Sequence, residues 1–197
     1  MRVKDFIFII GTSGVGKSTL SQGLLAHYRT TCVEQHMVPE FISRDGVEEM
    51  TSELEERTCW ENQKAMLLCF HKLGYRNIVA SDIDDLRTRD IPADFMGYQF
   101  ITIKLVCRDL RQLREQMRNR PNDGLIDFEL QEKLNAKMMA RLNLPNEHTI
   151  DIAGLTAAEV LDKAREIIEN NEPLAAYEYE KPDKALFYSW VPSNGLR

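Results

Sequence analysis

The sequence predicts an α/β protein built on a doubly wound, five-stranded parallel sheet. Three observations lead to this fold class. Five β-prone runs alternate with runs of helical spacing, an order that places helices on both faces of a parallel sheet. The apolar run at residues 6–10 leads directly into a glycine-rich turn and a helix. The third β-prone run ends in an acid, Asp82. Because such sheets bind ligands at the carboxyl ends of their strands, we expect a site at that edge.

The five predicted strands are short runs rich in apolar and β-branched residues. They are expected at about 3–10, 32–38, 77–82, 98–107 and 148–151. The second run ends at Pro39, which cannot donate a hydrogen bond to a sheet ladder. Right-handed crossovers between these strands produce the doubly wound arrangement.

The predicted helices fill the intervals between the strands. They are expected at about 17–29, 47–57, 59–73, 110–120, 128–142 and 157–170. In the helix at 59–73, the residues Ala65, Met66, Leu68, Cys69 and Leu73 share one apolar face. The last helix has Thr156 as its cap and Glu159 three residues later, the spacing of a capping box.

The glycine-rich turn matches the phosphate-binding loop pattern G-x-x-x-x-G-K-[ST]. It consists of Gly11, Thr12, Ser13, Gly14, Val15, Gly16, Lys17 and Ser18, and Thr19 follows it. The glycines let successive backbone N–H groups turn inward around an anion, and the following helix adds its positive N-terminus. Lys17 can reach the outer phosphates, and the Ser18 hydroxyl can ligate a phosphate-bound Mg²⁺. The sequence therefore predicts a P-loop NTPase fold that binds ATP and Mg²⁺, with Thr19 as a second hydroxyl for the inner phosphate.

Two further segments supply candidates for metal and acceptor binding. Asp82 ends an apolar strand, as in a Walker B segment that holds Mg²⁺ or its water shell; alternatively it caps the following helix. Arg44 and Asp45 lie in the loop after strand two. Asp45 could accept a hydroxyl proton while Arg44 orients an anion or that carboxylate. A solvated Asp-Gly turn is the alternative.

A cluster of arginines marks the predicted helix at 110–120. Arg111, Arg114 and Arg118 share one helical face, and Arg120 begins the next loop. Guanidinium groups suit bidentate phosphate contacts and can offset the charge of a transferred phosphoryl group. The alternative is an amphipathic surface helix in which Glu115 pairs with these arginines.

Composition limits the kind of protein and its partners. The chain has 197 residues, 43% of them hydrophobic, and a formal net charge of −6. We expect one domain at 1–170 followed by an irregular tail at 171–197, and the acidic balance argues against a broad nucleic-acid-binding surface. The sequence is compatible with a tail that wraps the domain, meets a second subunit in a homodimer or is partly disordered.

The cysteines and the apolar runs point to an expected compartment. Cys32, Cys59, Cys69 and Cys107 have no metal-ligand spacing, so we expect buried free thiols. The sequence shows no secretory signal pattern and no run of about 20 apolar residues that would span a bilayer. We therefore expect a cytoplasmic protein without a membrane partner.

The order of these parts, over about residues 3–170, resembles that of the small P-loop kinases, the nucleoside and nucleotide kinase-like group. Within that group the Arg44-Asp45 loop and the arginine-rich helix are most similar to the kinase domain of polynucleotide 5′-hydroxyl kinases. The resemblance implies that Lys17 and Ser18 hold ATP and Mg²⁺ and that Asp45 is the general base. It also implies that Arg120 is the lid arginine on the transferred phosphate and that Ala153, Gly154 and Leu155 border the adenine. From the arginine cluster itself we expect Arg114 to act in catalysis and Arg118 to bind the nucleotide.

One departure from the polynucleotide kinase pattern concerns the acceptor. Those kinases tend to carry a further arginine shortly after Arg-Asp, whereas this chain has Glu48 and Glu49, which would repel an acceptor phosphate. We therefore expect an ATP-dependent phosphotransferase acting on a nucleoside, nucleotide or other small metabolite. A polynucleotide 5′-hydroxyl kinase and a nucleotide-hydrolysing switch protein are the alternatives.

Overall fold

The computed structural model contains one five-stranded sheet with helices on both faces. It describes residues 3–39, 41–43, 45–46, 50–83, 85–119 and 127–185. The strands are β1 (Phe6–Ile10), β2 (Cys32–Glu34), β3 (Ile78–Ser81), β4 (Phe100–Val106) and β5 (Glu147–Asp151). Their order across the sheet is β2-β3-β1-β4-β5, and every neighbouring pair is parallel. The predicted doubly wound parallel sheet is confirmed.

Seven helices in the described residues connect or flank these strands. They are α1 (Lys17–Tyr28), α2 (Ser52–Lys72), α3 (Asp85–Thr88), α4 (Ile91–Asp94), α5 (Leu110–Arg118), α6 (Phe128–Ala140) and α7 (Ala157–Asn170). The capping box predicted for the last helix is present, because Thr156 and Glu159 bond to each other's backbone N–H groups. Among the residues that the structure describes, no helix combines the length and the apolar character needed to cross a membrane.

Helix α2 differs from the prediction in extent and in the face that it buries. The two helices expected at 47–57 and 59–73 are one continuous helix within the described chain, capped by Thr51, whose hydroxyl accepts a hydrogen bond from the N–H of Leu54. The side chains that it buries are those of Trp60, Gln63 and Leu67, whereas the predicted apolar face is largely exposed: Ala65, Leu68, Cys69 and Leu73 face solvent. Trp60 and Leu67 pack into the core on that face, and Gln63 bonds to the ends of β2 and β3, so apolar periodicity alone selected the wrong face.

Strand β2 is shorter than predicted. It ends at Glu34, and residues Gln35–Met37 form a 3₁₀ turn instead of extending the strand to residue 38. The turn is closed by the N–H of Val38, which donates to the carbonyl of Gln35 at 3.0 Å. The chain therefore leaves the sheet early, next to the carboxyl end of β3.

The alternating side chains of β1 supply two hydrophobic cores, one on each face of the sheet. Ile7 and Ile9 pack with residues of α1, α5 and α7. Phe6 and Phe8 pack with α2 and with Phe95, whose ring lies 4.8 Å from that of Phe8 in an edge-on arrangement. Because both faces are covered, every β1 residue is fully buried, as expected for a central parallel strand.

An ion cluster is buried between β4 and β5. The carboxylate of Glu147 contacts the ammonium of Lys104 at 3.0 Å and the guanidinium of Arg141 at 2.8 Å. The side chains of Lys104 and Glu147 are 1% and 0% exposed. Charges removed from water to this degree require close partners, so this cluster joins β4, β5 and the segment after α6.

The described part of the tail packs against the α3–α4 segment. The hydroxyl of Tyr177 donates to the carbonyl of Pro92 at 2.6 Å, and that of Tyr179 donates to the carbonyl of Arg89 at 2.7 Å. Lys181 and Lys184 form ion pairs with Asp94 and Asp90. Burial raises the pKa of Tyr177 to about 12. Residues 171–184 contain no helix or strand and run along the domain.

The cysteines differ in their burial. Cys107 is buried, Cys32 and Cys59 are half-buried, and Cys69 is exposed. The expectation of buried free thiols is therefore right for Cys107 and wrong for Cys69, because α2 turns that residue outward. Burial, together with the nearby carboxylate of Glu34, raises the pKa of the Cys32 thiol to about 11, so this thiol is protonated near neutral pH.

Candidate active site

The phosphate-binding loop joins β1 to α1 at the carboxyl edge of the sheet. Gly14 has φ +87°, and a Cβ atom there would lie 2.5 Å from Cγ of Met117. Gly11 has φ +150°, and a Cβ atom there would lie 2.7 Å from the carbonyl oxygen of Leu105. Both glycines are thus required by the backbone conformation and by close packing against β4 and α5.

One peptide group of this loop makes two contacts. The ammonium of Lys17 donates to the carbonyl oxygen of Thr12 at 3.2 Å. The N–H of Ser13, from the same peptide unit, donates to Oε1 of Gln131 on α6 at 2.9 Å. The Oγ1 atom of Thr12 is buried without a hydrogen-bond partner. The loop therefore carries a buried hydroxyl that can bond to a ligand.

A cavity of about 160 Å³ lies over the loop. It is lined by Gly11, Thr12, Ser13 and Lys17 of the loop, by Asp82 and Ile83 after β3, and by Gln131, Leu134 and Met138 of α6. Three segments of the chain that are far apart in the sequence thus enclose the space in front of Lys17.

The residues predicted to hold Mg²⁺ lie at this edge. Ser18 and Thr19 begin α1 with exposed side chains. Asp82 follows β3 with φ +60°, its side chain is 56% exposed, and Nδ1 of His36 lies 4.0 Å from its carboxylate. Helix α3 begins only at Asp85, so Asp82 precedes the cap position of that helix, against the capping alternative.

The donor set fits Mg²⁺ held mainly by phosphate oxygens. Within the described chain, His, Cys, Asp and Glu residues form no group of three or more that could hold a metal by itself. Mg²⁺ in phosphate-transfer sites usually has one or two protein oxygens, with phosphate and water as the other ligands. Ser18 and Asp82 could provide those protein oxygens next to the cavity.

A buried polar network fixes the carboxyl ends of β2 and β3. Glu34 is 8% exposed and accepts a hydrogen bond from Oγ of Ser81 at 2.8 Å. The fully buried Gln63 of α2 donates to the carbonyls of Val33 and Ser81 at 3.3 and 3.2 Å. Sequence analysis did not single out Glu34 or Gln63, although an acid at the end of a β-prone run was a usable signal. The network positions Asp82, which follows Ser81 directly.

The acceptor loop is only partly described. Asp45 is exposed, and the next N–H, that of Gly46, donates to Oγ of Ser43 at 2.8 Å. Arg44, Glu48 and Glu49 lie outside the described residues. The role of Asp45 as a base stays a prediction that follows from its loop, which connects the carboxyl end of β2 to α2.

The predicted lid arginines contact α6 in this structure. The guanidinium of Arg114 forms a two-point ion pair with Glu132, and the pairing raises the pKa of Arg114 and lowers that of Glu132. The guanidinium of Arg118 lies over the ring of Phe128 at 5.7 Å. Arg120 is outside the described residues. Arg114 and Arg118 therefore hold α5 against α6, and the partner of Arg114 is Glu132 rather than Glu115, which the sequence suggested.

The loop expected to border adenine is tied to α5. Gly154 has φ +75°, and its N–H donates to Oε1 of Gln112 at 2.8 Å. The amide nitrogen of Gln112 donates in turn to the carbonyl of Ile152 at 3.1 Å. Sequence analysis missed Gln112, because its partners lie about 40 residues further along the chain.

The comparisons with known proteins identify relatives by fold. No family model and no curated protein sequence matches this chain. Among solved structures, a sugar kinase from Janibacter shares a TM-score of 0.59 and 15% identity, with 88% of this chain and 98% of that chain covered. A gluconokinase from Sinorhizobium meliloti gives 0.59 and 14%, covering 86% and 94%. The thymidylate kinase of Candida albicans gives 0.58 and 14%, covering 87% and 94%. Since these identities are low, the likeness shows the fold alone: these kinases and this chain are similar in their α/β architecture.

Proposed function

We propose that this chain is an ATP-dependent phosphotransferase that moves the γ-phosphoryl group of ATP to a hydroxyl or phosphate of a nucleoside, nucleotide or other small metabolite. The observation that carries the proposal is the cavity in which the complete phosphate-binding loop, with Lys17, faces Asp82. The acceptor loop with Asp45 leaves β2 at the same edge of the sheet. Similarity in fold to several small-molecule kinases supports the same reaction class.

In the proposed reaction, different residues bind the polyphosphate, hold Mg²⁺ and activate the acceptor. The loop N–H groups and Lys17 bind the polyphosphate and neutralise part of its charge. Mg²⁺, held by Ser18 and Asp82, supplies further charge neutralisation when it is bound. Asp45 orients the acceptor hydroxyl and takes its proton.

The transfer step exchanges one P–O bond for another. The acceptor oxygen loses its proton to Asp45 and forms a bond to the γ-phosphorus, while the bond from that phosphorus to the bridging oxygen breaks and ADP leaves. In the proposed reaction Arg118 and Arg120 would contact the transferred group, which requires the guanidinium of Arg118 to leave the ring of Phe128. Arg114 follows if its ion pair with Glu132 opens.

The described residues favour a small acceptor over a polynucleotide end. A single-stranded substrate requires aromatic side chains on which bases can stack, together with positive charge along the path. Trp60 is buried, and Tyr75 lies beyond the end of α2, at the opposite edge of the sheet from the phosphate-binding loop. Asp82 lines the cavity, and His36 lies between its carboxylate and that of Glu34, at 4.0 and 3.4 Å.

Asp45→Asn is expected to reduce phosphoryl transfer by about a hundredfold, because a positioned general base contributes about that much or more. The measurement is phosphorylated product formed from ATP·Mg²⁺ with a panel of nucleosides, nucleoside monophosphates, sugars, small alcohols and 5′-hydroxyl oligonucleotides. The affinity for ATP should stay within about twofold, since Asp45 has no proposed contact with the nucleotide.

The matched control is Asp162→Asn, an exposed carboxylate on α7, which should transfer phosphate at the wild-type rate. Phosphorylation of oligonucleotides alone would replace the small-acceptor proposal by the polynucleotide one. Wild-type product formation by Asp45→Asn would remove Asp45 from the mechanism.

A further inference from the structure

We propose that Gln131 distinguishes nucleoside triphosphates from diphosphates at the phosphate-binding loop. This inference rests on the proposed nucleotide site and adds to it a residue on α6 that senses the outermost phosphate. The starting observation is the hydrogen bond from the N–H of Ser13 to Oε1 of Gln131 at 2.9 Å.

The contact lies at the outer end of the phosphate site. The N–H of Ser13 belongs to the phosphate-binding loop, and Ser13, Lys17 and Gln131 all line the same cavity. A lysine at this motif position reaches the β- and γ-phosphates. Gln131 also lines the cavity in front of Lys17. The side-chain amide of Gln131 therefore occupies part of the space that an outer phosphate would enter.

The amide oxygen of Gln131 accepts the hydrogen bond of the Ser13 N–H, as a phosphate oxygen would. Its carbonyl oxygen must face Ser13, because only that atom can accept from an N–H group. A phosphate oxygen entering the loop competes for the same N–H. Once displaced, the amide can rotate and present its NH₂ group to the anion, since glutamine carries both an acceptor and two donors. Gln131 thus changes from accepting to donating when a terminal phosphate binds.

The neighbours of Gln131 connect this exchange to the arginine cluster. The next residue, Glu132, holds Arg114 of α5 in a two-point ion pair. Movement of Gln131 and its helical turn toward a bound phosphate therefore acts on the contact that joins α5 to α6. A triphosphate that displaces Gln131 would therefore weaken the ion pair between Glu132 and Arg114 and free Arg114 to move toward the site, whereas a diphosphate would not.

Gln131→Glu tests the inference directly. The carboxylate can still accept from Ser13, but it cannot donate and it repels an outer phosphate. The measurement is calorimetric titration with Mg²⁺ and either a non-hydrolysable imido analogue of ATP or ADP. We expect the ratio of the ADP dissociation constant to that of the analogue to fall by about tenfold or more. Gln131→Ala, which removes acceptor and donor together, should lower the ratio severalfold.

Two controls separate this effect from others. Ala136→Glu adds the same charge at an exposed position of α6 and should leave the ratio within about twofold of wild type. Thermal unfolding verifies that the variants fold, and Gln131→Ala provides the test if Gln131→Glu does not. An unchanged ratio in a folded variant, or an equal fall in Ala136→Glu, would overturn the inference.

The outcomes also separate this inference from the proposed function. If the wild-type protein transfers phosphate but the Gln131 variants leave the ratio unchanged, the proposed kinase function stands and the proposed role of Gln131 is wrong. If the ratio shifts but no acceptor is phosphorylated, the role of Gln131 stands and the kinase function is wrong. Absence of binding of both nucleotides to the wild type would overturn both.

Discussion

Lys17→Ala is expected to lower ATP turnover by about a hundredfold to a thousandfold. In other enzymes, removing one hydrogen-bond donor that stabilises negative charge in the transition state lowers the rate by about this factor. Lys17 is the cation that lines the cavity over the phosphate-binding loop in the described structure. The steady-state rate of ADP formation, measured with saturating ATP·Mg²⁺, gives the size of the effect. Titration with the imido analogue should show weaker binding in the same variant.

Lys72→Ala is the control for this experiment. Lys72 ends α2 at the opposite edge of the sheet and is exposed, so its removal should leave the rate of ADP formation unchanged. Undiminished turnover by Lys17→Ala would show that the loop does not bind the reacting phosphates.

Glu147→Ala is expected to lower the free energy of unfolding by about 3–5 kcal/mol, the range for breaking a buried ion pair on one side. The substitution leaves Lys104 buried next to Arg141 without the carboxylate that contacts both. The measurement is urea denaturation followed by circular dichroism. Because stability of small domains is itself about 5–15 kcal/mol, the midpoint should shift far toward low urea.

The double variant Lys104→Met with Glu147→Leu separates charge from packing. It removes both fully buried charges and fills the space with apolar atoms, a change that is often neutral or stabilising. We expect it to recover part of the lost free energy, because Arg141, whose side chain is only 14% exposed, still loses the carboxylate of Glu147. A double variant as unstable as Glu147→Ala would contradict the electrostatic account and indicate a packing role for the side chains.

The elements that the sequence predicted well are those set by local patterns. The loop at 11–18, β1 before it and α1 after it each have a signature within about ten residues, and Thr156 with Glu159 marks the start of α7 by a capping box. The order of strands and helices then predicts a parallel sheet, since right-handed crossovers leave few other arrangements.

The elements that the sequence predicted poorly depend on contacts between distant residues. The orientation of α2 is fixed by Gln63, whose partners are the carbonyls of Val33 and Ser81 on two different strands. A search for apolar periodicity selected the opposite side of the helix, because α2 carries apolar residues on its exposed face as well.

The same limit applies to the site. Gln131 and Ser13 are 118 positions apart, and no sequence pattern around either residue predicts that they contact each other. Arg114 was singled out for its charge, but its partner Glu132 belongs to a helix whose placement follows from the whole fold. The tail was predicted to be irregular, and its contacts with the carbonyls of Arg89 and Pro92 could be found only in three dimensions.

The central claim is that the γ-phosphoryl group is transferred rather than released to water. The most direct test measures ADP, inorganic phosphate and phosphorylated acceptor in the same reaction, with ATP·Mg²⁺ and each member of the acceptor panel. The proposed kinase predicts ADP in clear excess over inorganic phosphate with at least one acceptor, matched by an equal amount of phosphorylated product. Equal amounts of ADP and inorganic phosphate with every acceptor would contradict it and identify a nucleotide-hydrolysing protein.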